Sequence, residues 1–181
     1  ADYIHYLADL MGVQSDGEIN VLDIGTGASL IYPLIGSKVY NWNFVASDID
    51  TNSLLNAENI IKNNPDLSKK IFLRMQNNEE CILDGIVKST DFFDAIMCNP
   101  PFFKSKKDAD AQTLRKLRGL NKTSSKIKLK NNFSGKSNEL WCKGGELVFL
   151  FTLISESVTF KNNVKWFTSL VSNADHLEPI T

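Results

Sequence analysis

The stretch Ile19-Asn20-Val21-Leu22-Asp23-Ile24, running into Gly25-Thr26-Gly27 and then into a helical pattern, limits this chain to few folds. An apolar, β-branched run that ends in closely spaced glycines and reopens as a helix is the strand–turn–helix unit of an α/β sheet. Glycine at 25 and 27 permits a tight turn and lets a ligand come close to the backbone. The dinucleotide-binding form of this turn needs a third glycine at position 30, where the chain has Leu30. Asp23, on the strand before the turn, would also repel a pyrophosphate.

The remainder of the chain alternates in the same way. Ile4, Leu7, Ala8 and Met11 recur at helical spacing in a helix near 2–11, within an N-terminal segment of residues 1–12. Strands are expected at 19–24, 44–47, 71–75, 95–98 and 164–171. Helices are expected at 29–39, 51–62 (closed by Asn63-Asn64-Pro65), 79–87, and after Gly144-Gly145 through Leu147, Leu150, Phe151, Ile154 and Val158. Strand–helix alternation with short connections predicts an α/β, doubly wound, mostly parallel sheet. At 181 residues, a single domain over 1–181 is expected. Ligands of such sheets bind at the carboxyl ends of the strands, where Gly25, Asp48 and Asn99 all fall.

The second strand ends in Ser47-Asp48-Ile49-Asp50. Asp48 lies 23 residues after Gly25, where an acidic residue can hydrogen-bond ribose hydroxyls. Asp50, before Thr51-Asn52-Ser53, reads as a helix N-cap. The fourth strand leads into Asn99-Pro100-Pro101-Phe102, which suits methylation of an amino group whose lone pair is drawn into a π-system. Such a nitrogen is a poor nucleophile and must be presented in a set geometry. The Asn99 side-chain oxygen and the Pro100 carbonyl can accept its two N–H hydrogens. Neither proline offers a competing N–H, and Phe102 can stack on a planar base. Pro-Pro also marks ordinary loops, and a glycine turn can be purely structural. Yet the three landmarks stand in the order required by a methyl donor such as S-adenosylmethionine, which is cationic and free of phosphate.

Charge is unevenly distributed. Net charge is −1, but residues 104–136 carry 11 of the 20 Lys and Arg against Asp108 and Asp110 alone, near +9, which leaves the rest near −10. Lys104, Lys106, Lys107, Arg115, Lys116, Arg118 and Lys122 open this segment just after the Asn-Pro-Pro motif. The composition favours a solvated segment with little order of its own; it is also the footprint of a polyanion binder, and nucleic acid is the favoured partner. Cys81, Cys98 and Cys142 are odd in number and widely spaced, as expected of buried thiols in a reducing cytoplasm. With His5 and His176 the only imidazoles, no metal centre is expected. No run is long enough to span a bilayer, and the start lacks a signal peptide's basic flank and apolar core. A cytoplasmic monomer is expected.

Taken together, Ala1-Asp2-Tyr3-Ile4-His5-Tyr6-Leu7, Leu22-Asp23-Ile24-Gly25-Thr26-Gly27-Ala28, Ile31-Tyr32-Pro33-Leu34-Ile35-Gly36, Cys98-Asn99-Pro100-Pro101-Phe102, Gly119-Leu120-Asn121-Lys122, Glu139-Leu140-Trp141-Cys142, Gly144-Gly145-Glu146 and Trp166-Phe167-Thr168-Ser169-Leu170-Val171-Ser172 resemble the RlmF-type 23S ribosomal RNA adenine-N6 methyltransferases. Eukaryotic enzymes that methylate small nuclear RNA and messenger RNA hairpins share the pattern. The resemblance implies a class I, Rossmann-like S-adenosylmethionine-dependent methyltransferase, with S-adenosylhomocysteine as product and 23S RNA or a ribosome assembly intermediate as partner. Such sheets have seven strands against five counted here, so the chain reads as part of a longer protein, preceded by a basic extension and followed by further strands. Asp23, Gly25 and Gly27 are expected to hold the methionine end of the donor, Asp48 its ribose, and Gln76 and Asn77 its adenine. Asn99, Pro100, Pro101 and Phe102 are expected to hold the acceptor, and Asn99 to border the donor as well. The alternatives are another amino acceptor (DNA adenine or protein glutamine) and a non-catalytic RNA-binding module.

Overall fold

The apolar runs become five strands: β1 Asn20–Ile24, β2 Asn43–Asp48, β3 Ile71–Met75, β4 Phe93–Cys98 and β5 Val164–Phe167. They form one all-parallel sheet in the order β3-β2-β1-β4-β5. The computed structural model describes residues 2–12, 18–101, 142 and 144–181; the basic segment 104–136 and Phe102 lie outside the described residues. Register brings the ligand-binding ends level, with Ile24 beside Ser47 of β2 and Cys98 of β4, and Asp48 beside Met75 of β3. After β3 the chain crosses to the far side of β1, so the switch point of the sheet lies between β1 and β4.

Helices α1 Asp2–Met11, α2 Ile31–Val39, α3 Thr51–Lys62 and α4 Gly145–Thr159 flank the sheet. Strand side chains alternate faces, and both faces of β1 are buried. Val21 joins Ile4, Leu7, Leu30, Trp42 and Phe44 on one side, while Leu22 and Ile24 join Leu83, Ile86, Leu153 and Val164 on the other. Burial on both faces is why the central strands β1, β2 and β4 read as nearly continuous apolar runs. α2 approaches β2 closely because Gly36 has no Cβ; one there would stand 2.4 Å from the Phe44 ring. Asp50 caps α3, accepting from the N–H groups of Asn52 and Ser53. No helix among the described residues is long and apolar enough to cross a membrane.

Three elements differ from expectation. α2 begins at Ile31, not 29, because Leu30 adopts a left-handed conformation (φ 51°) with its side chain buried. The helix expected over 79–87 is absent, and the segment is a series of turns. Gly85 sits at φ +81°, and the N–H groups of Ile82, Leu83 and Asp84 donate to the Glu156 carboxylate of α4. Those donors are therefore unavailable for a helical ladder. β5 ends at Phe167 rather than 171, although Thr168 and Leu170 still donate N–H bonds to Ile96 and Cys98 of β4 at 3.2 and 2.9 Å. At the other end of α4, buried Glu146 accepts from the Ser172 N–H at 2.7 Å and pairs with His176 Nδ1 at 2.6 Å.

Candidate active site

A cavity of about 350 Å³ opens where β1 to β4 end. Its lining includes Ile24 and Gly25, Ser47, Asp48 and Ile49, Gln76, Cys98, Asn99 and Pro101, with Phe149 and Thr152 contributed by α4. Five sequence-predicted residues are thereby brought together: Gly25, Asp48, Gln76, Asn99 and Pro101. Asn99 is exposed at the rim, and Pro100 is buried beside it. Asn77 is exposed and lies outside the lining. The structure does not gather it with the others.

The glycine turn forms the floor. Gly25 and Gly27 have φ of +69° and +65°, in the region that a side chain disfavours. A Cβ on Gly25 would meet nothing within 4 Å, so the space above the turn is open to a ligand. Asp48 ties the turn to β2: one oxygen accepts the Gly27 N–H and the other the Asp50 N–H, both at 2.8 Å. The Thr26 N–H donates to the Ser47 carbonyl at 2.9 Å. Two loops are thus joined into one unit, and the Asp48 carboxylate still borders the cavity.

Asp23 is 1% exposed and does not line the cavity; it lies beneath the turn and accepts from Thr26 Oγ1 at 2.7 Å. Burial pushes its carboxyl up to about 7; the Thr26 hydrogen bond opposes this and the Asp48 charge adds to it. Asp23 thus stands behind the turn, while Gly25 borders the cavity.

The wall after β3 is shaped by Gln76. Its Nε2 donates to the Asp84 carbonyl at 2.8 Å, its Oε1 accepts the Asn78 N–H at 2.9 Å, and its own N–H reaches the Asp48 carbonyl. Both ends of this amide are engaged within the loop. Arg74 pins the far side of the same loop through Asp91 and the Ile86 carbonyl. Glu156 pins it from α4, and nothing in the local sequence announces that role, since its partners lie 72 to 74 residues away. Cys81, Cys98 and Cys142 all border the cavity. Burial pushes their thiols up, Cys98 furthest. They are neutral, soft wall atoms at pH 7.

These residues fit a ligand with a flat apolar portion, a diol and a cationic end: Ile49, Ile82 and Phe149 are apolar wall, Asp48 is an acceptor, and the buried acid lies under an open backbone turn. A parallel sheet in this order with its site at the switch point is Rossmann-like, and its likeness to solved methyltransferase domains makes it the class I S-adenosylmethionine-dependent methyltransferase fold.

The chain belongs to the RNA methyltransferase family, whose profile matches residues 1–181. It is 47% identical over 189 residues to ribosomal RNA large subunit methyltransferase F of Shewanella denitrificans, covering 98% of the chain and 52% of that protein. It is equally identical, at 47% over 193 residues, to the Bacteroides thetaiotaomicron protein of the same name, covering 99% of the chain and 62% of that protein. The chain therefore spans between half and two thirds of these relatives. Among solved structures it resembles the human METTL16 catalytic domain in complex with the MAT2A 3′UTR hairpin 1 (TM-score 0.77, 30% identity, 99% of this chain and 57% of that one). It also resembles the N-terminal domain of human METTL16 in complex with SAH (TM-score 0.69, 27% identity, 99% and 57%).

Proposed function

We propose that residues 1–181 form the methyltransferase domain of an enzyme that methylates the N6 amino group of a specific adenine in 23S ribosomal RNA. The donor is S-adenosylmethionine, no metal takes part, and the enzyme works as a cytoplasmic monomer on RNA or on a ribosome assembly intermediate. One observation carries this reading: Asn99, at the head of Asn-Pro-Pro, borders the same cavity as the glycine turn and Asp48. The relatives named for ribosomal RNA methylation and the RNA-bound METTL16 domain support the substrate class.

The donor supplies an electrophilic methyl group on a sulfonium. Gly25 and Gly27 offer backbone to its methionine end, with the Asp23 charge beneath them. Asp48 accepts from the ribose hydroxyls. The loop that Gln76 shapes, with Asn77 at its edge, walls the adenine. Asn99 Oδ1 and the Pro100 carbonyl accept the two N–H hydrogens of an unpaired or flipped adenine, and Phe102 stacks on its ring. This fixes the nitrogen lone pair toward the methyl. No strong base would be needed: as the N–CH3 bond forms the S–CH3 bond breaks, S-adenosylhomocysteine leaves as a neutral thioether, and the amino group, acidic only then, gives its proton to water. Placement supplies most of the rate. Lys104, Lys106, Lys107, Arg115, Lys116, Arg118 and Lys122 contact phosphate.

In the full-length protein, Asn99→Ala lowers turnover by at least about 100-fold, the scale of a misplaced reacting group, with S-adenosylhomocysteine affinity within a few-fold of wild type. Near-wild-type methylation by this variant overturns the mechanism. The same motif chemistry suits DNA adenine or protein glutamine. Labelled donor offered with separated ribosomal RNA, DNA and release-factor protein decides between them, and label on protein alone reverses the substrate assignment.

A further inference from the structure

The strand end that presents Asn99 is held from both ends of the chain. The Cys98 N–H donates to the Tyr3 hydroxyl oxygen at 3.3 Å. That oxygen lies 2.7 Å from Thr168 Oγ1, which donates to the Ile96 carbonyl at 2.7 Å. Counting protons fixes the direction. The single Thr168 hydroxyl proton is committed to Ile96, so the Tyr3 proton goes to Thr168 Oγ1, and the Tyr3 oxygen is left to accept from Cys98. Burial raises the Tyr3 phenol far above neutral pH, which keeps that proton in place.

The position of this chain of bonds matters. β5 ends at Phe167, so the last residues of β4 run beside irregular backbone. There Thr168 and Leu170 contribute main-chain bonds to Ile96 and Cys98, and Tyr3 of α1 supplies the acceptor for the Cys98 N–H. The next residue is Asn99. An edge-to-face contact with Tyr32, ring centroids 5.7 Å apart, keeps the Tyr3 ring in place. Neither Tyr3 nor Thr168 borders the cavity.

We propose that Tyr3 and Thr168 are positioning residues for methyl transfer: they fix the end of β4, and through it the Asn99 side chain and Pro100 carbonyl, without touching donor or acceptor. This rests on the methyl-transfer reading given above. Removing the Tyr3 hydroxyl leaves the Cys98 N–H without a protein acceptor. The strand end then shifts or admits water, and the acceptor nitrogen loses its alignment. The donor floor, built from the β1 and β2 turns, is unaffected.

The test compares full-length wild type, Tyr3→Phe, Thr168→Val and Thr168→Ser. The measurements are kcat on ribosomal RNA, S-adenosylhomocysteine Kd by calorimetry and the melting temperature. Expected is a kcat loss of roughly ten- to 100-fold for Tyr3→Phe and Thr168→Val, in line with the steep cost of misplaced reacting groups. Kd for S-adenosylhomocysteine stays within threefold, and Thr168→Ser restores most of what Thr168→Val loses. A folded Tyr3→Phe with kcat within twofold of wild type overturns the proposal, as does a parallel loss of rate and donor affinity. If Tyr3→Phe fails to fold, the Thr168 pair decides, and equal rates for Val and Ser overturn it. Wild type that binds no S-adenosylhomocysteine and methylates no RNA refutes the methyl-transfer reading itself, and the positioning role falls with it.

Discussion

Replacing Asp23 by Asn should make the protein more stable at alkaline pH and worse at holding its donor. The Asp23 carboxyl is buried with Thr26 as its side-chain donor, and burial lifts it from an ordinary 3.8 to about 7. An acid whose folded pKa lies above its unfolded value binds more protons when folded across the interval between them. Stability therefore falls as pH rises from about 4 to about 7 and is level above that window. With these two values, raising pH from 5 to 8 removes about 2.5 kcal/mol through Asp23 alone. Asp23→Asn abolishes this titration while leaving an oxygen to accept from Thr26. In urea unfolding at pH 5 and pH 8, the variant should lose about 2.5 kcal/mol less than wild type across the interval. Equal losses in the two proteins would refute the reasoning. At pH 8 the same variant should bind S-adenosylmethionine roughly tenfold more weakly, since about 1.4 kcal/mol is the scale of a charge attraction largely screened by solvent and by the intervening turn.

Glu156→Gln keeps an acceptor but loses the charge that holds three N–H groups of the cavity-wall loop. It should cost about 1–2 kcal/mol of stability and raise the donor KM with kcat retained; unchanged donor affinity in calorimetry would rule out this role for the loop. Replacing Arg115, Lys116 and Arg118 with Ala should weaken RNA binding and flatten its salt dependence by about three phosphate contacts, with S-adenosylmethionine binding unchanged. An unaltered salt slope would remove these residues from the RNA interface.

The sheet was legible because its central strands β1, β2 and β4 are buried on both faces and all five read as runs of strand length, while α1 and α3 carry clear helical spacing. The placement of the glycine turn and Asp48 at the sheet's carboxyl end was legible for a different reason: it depends on local backbone and on short, fixed spacing along one βα unit. What sequence reading missed depends on side-chain to main-chain bonds, some of them between residues distant in the chain. Glu79–Val87 has a helical hydrophobic rhythm, but Glu156, more than 70 residues later, takes the backbone donors that a helix would use. The engagement of the Gln76 amide by Asp84 and Asn78 left no mark in the strand pattern. That Asp23 would lie buried beneath the turn, with Thr26 as its donor, was not read from the strand pattern. Tyr3 did leave a signal: it shares the buried face of α1 with Ile4, Leu7 and Ala8, and a phenol on an apolar face must find a partner for its hydroxyl.

α4 carries Glu146 in its first turn and Glu156 ten residues later, about 15 Å along the axis. Each carboxylate grips main-chain N–H groups in segments that belong to no strand: Ser172 on one side, Ile82, Leu83 and Asp84 on the other. The helix thus works as a beam with a clamp at each end. Two irregular stretches, distant in sequence from one another, take their order from the same rigid body. Amide exchange in the two stretches therefore has a local route at each clamp and one shared route through α4. Fraying at either clamp frees one stretch, whereas undocking of the helix releases both together and dissolves one wall of the cavity in the same step.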